Sequence, residues 1–214
     1  MSIQKTPLQT GKYYHIYNRG INSCDLFREN ENYEYFMALY DKYISPVANT
    51  YAWVLMKNHF HILVEILPED CWGNLPHPEG FQNLRGAGIL RELETDKRVN
   101  QQFSNLFNAY TKAFNKRYER TGSLFEHPFR RKHVDTIDYL KRVIVYIHQN
   151  PVKHGFCDHP SEYPWSSYLS CLSLKPTKLR REKVIAWFGN TDEFKIYHNQ
   201  KVYSETIDEW IDME

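Results

Sequence analysis

The chain has 214 residues, of which 42% are hydrophobic and 25% are charged, a balance typical of a globular protein with a sizeable core. Its net charge of +1 gives no sign, over the whole chain, of a polyanionic partner. The four cysteines, Cys24, Cys71, Cys157 and Cys171, have no C-x-x-C spacing, so we expect free thiols and exclude the disulfide framework of a small secreted domain. No apolar run approaches the ~20 residues that a membrane span requires, and no apolar leader is evident. We therefore expect a cytoplasmic protein without membrane contact.

The first half of the chain is predicted to form a strand, a helix and a hairpin. The β-rich segment Tyr13–Asn18 predicts the strand. Apolar residues at helical spacing then predict a helix that begins at Asn30 and ends before Pro46. The segments Tyr51–Met56 and His59–Ile66 flank a two-residue turn and predict an antiparallel hairpin.

The second half of the chain begins with a long segment that is rich in proline and glycine. Residues 68–98 contain three prolines and four glycines and are predicted to be a variable loop with a short helix. The elements predicted after it, in chain order, are a helix over Val99–Arg120, a strand over Arg130–Val134, a helix that starts around Asp135 and stops at Pro151, and short helices over Arg181–Phe188 and Asp192–His198.

This order of elements predicts the fold class. Strands joined mostly by a hairpin and by long helices favour a ferredoxin-like α+β architecture, an antiparallel sheet with helices packed on one face. The opposite face would then be open to a ligand. We expect a single domain over residues 1–214, with a core at about residues 12–155 and a C-terminal helical extension over residues 156–214.

Charge is distributed unevenly along the chain. Between positions 112 and 133, seven basic residues stand against two acids, and we call these seven the basic stretch: Lys112, Lys116, Arg117, Arg120, Arg130, Arg131 and Lys132. From Tyr203 to the end there are five acids and no Lys or Arg. The neutral total can therefore hide a surface that binds nucleic acid, although a solvated helix face is the simpler alternative.

Two histidines separated by one residue are the most informative pair in the sequence. Successive side chains of a strand point to opposite faces, so His59 and His61 share one face of the predicted strand. The residues between and after them, Phe60, Ile62, Val64 and Ile66, lie on the other face, which is therefore predicted to pack on the core. Two imidazoles on an exposed sheet face form half of a metal site. The alternative is two strand histidines bonded to their neighbours.

A second pair lies on the helix that ends near Pro151. Tyr146 and Asn150 are four residues apart, so they share one helix face. Asn150 offers an amide oxygen as a metal ligand, and Tyr146 offers a phenolic nucleophile one turn away. The alternative is a buried tyrosine and a pre-proline asparagine that ends the helix.

Taken together, the two pairs resemble a known family. The His59-Phe60-His61 motif and the downstream Tyr-x-x-x-Asn helix are similar to those of the HUH-type single-tyrosine transposases, in particular the REP-associated tyrosine transposases. Four further segments support the resemblance, Tyr14–Gly20, Gly122–Phe125, Asn150–Lys153 and Tyr163–Tyr168. It runs from about residue 12 to about residue 200 and is weakest over residues 68–98. Lys153-His154 departs from the Arg-Ala that relatives often have, and the acidic tail matches no motif.

The resemblance implies an HUH endonuclease core and a mechanism. His59, His61 and Asn150 would hold Mg²⁺ or Mn²⁺, and Tyr146 would attack a phosphate of single-stranded DNA beside a hairpin or palindrome. The product is a 5′-phosphotyrosine and a free 3′-OH, so the strand can be rejoined without ATP. The basic stretch would track DNA phosphates, in a monomer or a homodimer.

Two other functions remain open at this point. A catalytically silent DNA-binding regulatory protein of the same fold would not need Tyr146. A small-molecule metalloenzyme would need a third histidine or carboxylate at ligand spacing, and Glu65 is too far along the strand from His61 for that role.

Overall fold

An antiparallel sheet forms the centre of the molecule. A computed structural model of the chain describes residues 6–73 and 88–199, with four strands in the order β2-β3-β1-β4. The strands are β1 (Tyr13–Arg19), β2 (Ala48–Leu55), β3 (His59–Ile66) and β4 (Arg130–Val134), and all neighbours are antiparallel. Strands β3 and β4 have the predicted bounds. The predicted α+β class with an antiparallel sheet is confirmed.

Six α-helices surround the sheet in the described part of the chain. They are α1 (Asn30–Tyr43), α2 (Gly88–Arg117), α3 (Ile137–Lys153), α4 (Tyr168–Leu172), α5 (Arg181–Phe188) and α6 (Thr191–Asn199). Helix α2 begins well inside the stretch predicted to be a variable loop, whose residues 74–87 lie outside the described residues. The acidic tail beyond Tyr203 also lies outside them.

Helix α3 continues past the proline that was predicted to end it. Pro151 lies inside the last turn, where its missing N–H removes one hydrogen bond, the one to the carbonyl of Ile147. The turn is completed by the backbone N–H of His154, which donates to the carbonyl of Asn150 at 3.1 Å. Asn150 therefore lies within the helix, and its side chain keeps the helical spacing from Tyr146.

One face of the sheet packs against α1 and α2. Phe60, Ile62, Val64 and Ile66 of β3 are all buried in this core, as predicted. The helices contribute aromatic side chains such as Phe36, Phe103 and Phe107, and burying each of these stabilises the fold by about 2–3 kcal/mol.

The other face is covered as well, which differs from the expected placement of helices on one face only. Helix α3 lies on it with Leu140, Val143, Ile144 and Ile147, and the C-terminal helices α4, α5 and α6 complete this second core. The physical reason is the apolar stripe of α3 at positions i, i+3, i+4 and i+7, which must itself be buried. The face that carries His59 and His61 is therefore not an open sheet surface.

The cysteines and the helices can be compared with the predictions made from composition. All four cysteines are free thiols, as predicted. None of the described helices combines the length and the apolar character needed to cross a bilayer.

Candidate functional site

His59 and His61 lie side by side on the same face of β3. Their ring centroids are 5.2 Å apart, with the ring planes nearly perpendicular. The expected exposure is wrong, however, because α3 covers this face and leaves His61 only 5% exposed. Access is instead through a cleft of about 320 Å³ whose lining includes both histidines and Tyr146.

Helix α3 brings Asn150 and Tyr146 to the two histidines. The Oδ1 atom of Asn150 lies 2.9 Å from Nε2 of His59. One turn earlier, the ring of Tyr146 meets that of His61 edge to face, with centroids 5.2 Å apart, and Tyr146 is 6% exposed. The four predicted site residues thus meet at one place, where β3 faces α3.

His15 joins the site from β1, although the sequence analysis assigned it no role. Its Nε2 atom lies 3.0 Å from Nδ1 of His61, and the two rings stack with centroids 5.1 Å apart. The alternation of side chains along a strand predicts that His15 and Tyr17 share one face of β1. In the sheet, Tyr17 stands directly opposite His61, which brings His15 to the site. The sequence does not specify this pairing of β1 with β3, so it could not show that His15 lies near His61.

Burial keeps these imidazoles neutral. Desolvation lowers the pKa of His59 to about 4 and that of His15 to about 3. Desolvation, followed by repulsion from the neighbouring groups that can carry a positive charge, lowers the pKa of His61 well below its ordinary value. Neutral imidazole is the form that binds metals, so each ring can offer a lone pair at neutral pH.

The contacts of His59 test whether this site suits a metal ion. A neutral imidazole has a single N–H, but amide oxygens face both ring nitrogens, with Oδ1 of Asn58 at 2.7 Å from Nδ1 and Oδ1 of Asn150 facing Nε2. If the proton is on Nδ1, the Nε2 lone pair and the Asn150 oxygen are directed at each other, and a cation bound to both relieves that repulsion. The 2.9 Å between Nε2 of His59 and Oδ1 of Asn150 is short enough for one ion to be held by both atoms.

A conventional metal cluster is not present in the described ranges. Within residues 6–73 and 88–199, no group of three or more His, Cys, Asp or Glu side chains could hold a metal ion. The arrangement found here has two imidazoles and one amide oxygen. It suits a weakly held ion such as Mg²⁺ or Mn²⁺ better than a structural Zn²⁺, which takes four protein ligands.

The mouth of the cleft carries charged side chains. Arg19 and Arg130 line it together with Glu126 and His154. The Nε atom of Arg19 donates to Glu126 at 2.6 Å, in a pair that is well exposed to solvent. The ring of His154, part of the Lys153-His154 departure, lies 5.1 Å from the ring of His59. The cleft therefore offers cationic and hydrogen-bonding groups next to the histidines, and of these groups the sequence predicts DNA binding only for Arg130.

The basic stretch does not form one surface. Lys116 and Arg117 line a different groove, between α1 and α2, on the opposite side of the sheet. Arg117 pairs with Glu29 at 2.5 Å, whereas Arg120 bonds the side chain of Asn115 at 2.8 Å. Lys112 is exposed on α2.

The prediction that Arg131 binds DNA phosphates is wrong. Its side chain is 2% exposed and pairs with Asp96 of α2 at 3.3 Å, because Arg131 stands opposite Ile16 on the core face of the sheet. Neighbouring strand residues point to opposite faces, so Arg130 and Lys132 point toward the other side. Arg131 is therefore a core residue and cannot contact DNA as predicted.

Comparison with known proteins supports the fold. No protein-family model matches the chain, and no curated protein matches it either. A solved structure of a REP-associated tyrosine transposase bound to a REP hairpin is similar, with a TM-score of 0.52 over 82% of this chain and 89% of that chain, at 16% sequence identity. The resemblance found in the sequence motifs is thus confirmed at the level of the fold: this chain has the fold of a REP-associated tyrosine transposase.

Proposed function

We propose that this protein is a metal-dependent endonuclease and transposase that cleaves and rejoins single-stranded DNA through a 5′-phosphotyrosine at Tyr146. One observation carries the proposal: Tyr146 and Asn150, one turn apart on α3, face the His59–His61 pair of β3. Tyr146 and the two histidines line a cleft. A small-molecule metalloenzyme would instead need a third histidine or carboxylate ligand, and no group of three such side chains able to hold a metal occurs among the described residues.

Tyr146 supplies the nucleophile. Its phenolic oxygen attacks the phosphorus of the scissile phosphate and loses its proton, and a phosphorus–oxygen bond forms as the bond to the 3′ oxygen breaks. The 3′ oxygen takes up a proton and leaves as a hydroxyl group. The reverse attack by a 3′-OH restores the DNA backbone, because the phosphotyrosine retains the energy of the broken bond.

His59, His61 and Asn150 would hold the Mg²⁺ or Mn²⁺ ion. When bound, the ion withdraws charge from the phosphoryl oxygens and favours the phenolate form of the nucleophile. A free phenol has a pKa of about 10 and is a poor nucleophile at neutral pH. The close approach of Tyr146 to the ligand histidines is therefore what the chemistry requires.

Arg19 and Arg130 would bind DNA phosphates at the mouth of the cleft. The exposed pair of Arg19 with Glu126 contributes little to stability, so an incoming phosphate can replace the carboxylate at small cost. The similar solved structure is bound to a REP hairpin, and we extend this partner to the present chain as part of the proposal. The substrate would be a single strand beside a folded hairpin.

The nucleophile is tested by Tyr146→Phe, which removes one oxygen and little volume. We expect the wild type with Mn²⁺ to form a covalent adduct with an oligonucleotide labelled at its 3′ end, visible on a denaturing gel. Tyr146→Phe should form none while binding the same oligonucleotide within about twofold. Tyr139→Phe, two turns earlier on α3, is the matched control and should keep the adduct.

The outcomes separate the candidate functions. An adduct that persists in Tyr146→Phe would refute the assignment of the nucleophile. Binding of hairpin DNA by the wild type without any adduct would favour the catalytically silent, regulatory protein of the same fold.

The form of the substrate is a separate test. A phosphate inside a cleft can be reached only if the backbone bends into it, and duplex DNA, with a persistence length of about 150 base pairs, resists that bend. We expect cleavage of a single strand next to a hairpin and little cleavage of the same site when fully paired at equal salt. Equal rates on both substrates would contradict the proposal.

A further inference from the structure

We infer that His15 is a positioning residue for His61: it keeps the proton of His61 on Nδ1 and so leaves the Nε2 lone pair for the metal. This inference deepens the proposed function and rests on it. It adds a residue from β1 to a site whose ligands come from β3 and α3. His15 is not itself placed among the ligands.

The contact between the two rings supports this role. Nε2 of His15 lies 3.0 Å from Nδ1 of His61, and two neutral imidazoles share one proton across such a contact. Either His61 donates from Nδ1, or His15 donates from Nε2. Only the first arrangement leaves Nε2 of His61 without a proton and able to bind a metal ion.

His59 shows the same pattern with a different partner. Its Nδ1 atom lies 2.7 Å from an oxygen of Asn58, which can only accept, and its Nε2 atom faces Asn150. Both candidate ligands therefore have Nδ1 occupied by a neighbour and Nε2 left for the site. Metal-bound histidines generally have such a partner on the other ring nitrogen, which fixes the tautomer and the orientation of the ring.

Packing holds His15 in this position. The residue is 1% exposed, its ring stacks on Tyr17 at 4.9 Å, and the edge-to-face contact with Tyr146 is 5.9 Å between centroids. A ring held on three sides cannot turn away from His61 without opening the core. Packing therefore fixes Nε2 of His15 against Nδ1 of His61.

The tautomer can be measured without metal or DNA. In protein with ¹⁵N-labelled histidine, long-range ¹H–¹⁵N correlation spectra distinguish the two neutral tautomers, and the signals of His61 are assigned by their loss in His61→Gln. We expect the wild-type His61 ring to be protonated on Nδ1. A wild-type ring protonated on Nε2 would overturn the inference.

Metal affinity gives the second readout, from titration of Mn²⁺ followed by electron paramagnetic resonance. His15→Phe keeps the ring and removes both nitrogens, and we expect a loss of about 10- to 100-fold in affinity, the usual effect of removing such a partner. His15→Gln keeps an oxygen that can accept from Nδ1 and should recover most of the loss. His198→Phe, the same replacement in a buried histidine pair outside the site, is the matched control and should bind Mn²⁺ as the wild type does.

Failure of the inference is distinguishable from failure of the proposed function. If the wild type binds Mn²⁺ and forms the adduct but His15→Phe binds equally tightly, only the role of His15 is refuted. Equal losses in His15→Phe and His15→Gln would also refute it, because they would indicate a packing role. If the wild type binds no Mn²⁺, the proposed function and the inference fall together.

Discussion

The molecule contains two buried histidine pairs of nearly equal geometry, and they differ in what surrounds them. His15 and His61 meet at 3.0 Å between β1 and β3, and His148 and His198 meet at 2.9 Å between α3 and α6. Burial lowers the pKa of His148 well below its ordinary value and that of His198 to about 4. By burial and pKa direction alone, the two pairs cannot be told apart.

The pair on α6 is closed by protein partners. Nδ1 of His198 donates to the carbonyl of Phe194 at 2.7 Å, so its Nε2 must accept from Nδ1 of His148. The remaining nitrogen of His148 is 2.7 Å from the hydroxyl of Ser167, and that oxygen in turn accepts from the backbone N–H of Trp53 at 2.9 Å. Every ring nitrogen of this pair has a protein partner.

The pair at the cleft differs, because one nitrogen of His61 makes no hydrogen bond to the described residues. His61 makes a hydrogen bond within the described residues through Nδ1 alone, and its ring lines the cleft. The comparison teaches that a free ring nitrogen beside a cavity distinguishes a candidate ligand from a structural histidine. A depressed pKa reports only that both are buried.

The largest expected effects on activity and on stability come from replacing one histidine of each pair by alanine. His61→Ala should lower the rate of adduct formation at least about 1000-fold, because it removes a proposed ligand of an ion whose charge stabilisation would be worth several kcal/mol. His198→Ala should leave the rate unchanged in the folded protein. It should instead lower the free energy of unfolding by about 2–4 kcal/mol, since it leaves a cavity and an unpaired N–H on His148. Single-turnover gels and urea unfolding measure the two effects, and a loss of activity in His198→Ala would remove the distinction between the pairs.

The next prediction is that two adjacent arginines of the basic stretch differ in role, one in stability and the other in DNA binding. Arg131→Ala should cost about 1–3 kcal/mol of stability, because it removes a buried side chain and its ion pair, while Asp96 keeps its hydrogen bonds from Leu8 and Asn100. It should not alter the salt dependence of DNA binding. Arg130→Ala, at the cleft, should be nearly neutral for stability and should reduce the slope of log Kd against log salt by about one. Urea unfolding and filter binding at several salt concentrations test both. A reduced slope in Arg131→Ala would contradict its placement in the core.

Acid should destabilise the closed pair. The folded pKa of His198, about 4, lies below the ordinary value of 6.5, so between these values the unfolded chain binds more protons than the folded one. The contribution of His198 is therefore complete above pH 6.5 and is lost as the pH falls toward 4, at about 1.4 kcal/mol per pH unit. His148, His159 and the carbonyl of Phe194 are the groups that face it. His198→Gln, which cannot titrate, should reduce the slope of stability against pH by that amount in this window, and an unchanged slope would refute the attribution.

The sequence predicts the local features of the fold well, because periodicity reports the face of a strand or helix. The bounds of β3, β4 and α5, the core face of β3, and the common face of Tyr146 and Asn150 follow from spacing alone. The partner of each face does not follow from spacing. The local sequence pattern therefore predicts an open surface for His59 and His61, no role for His15 and DNA contact for Arg131. Each of these errors depended on strand pairing or helix docking, which no local pattern specifies.

The smallest effect concerns the start of α3, the helix that carries Tyr146 and Asn150 at the cleft and His148 of the closed pair. The hydroxyl of Thr136 caps this helix by accepting from the backbone N–H of Tyr139 at 3.2 Å, and Thr136→Ala should cost about 1 kcal/mol, or about 2–4 °C in melting temperature. Tyr146 lies ten residues further on, about 15 Å along the helix, where the contacts with the sheet rather than the cap fix its position. We therefore expect adduct formation by Thr136→Ala to stay within about twofold of the wild type well below its melting temperature, with Thr136→Ser as the control that keeps the cap. A larger loss of activity than of stability would show that the cap helps to set the position of Tyr146, and that the cleft is held less firmly by its own contacts than the His59–Asn150 distance indicates.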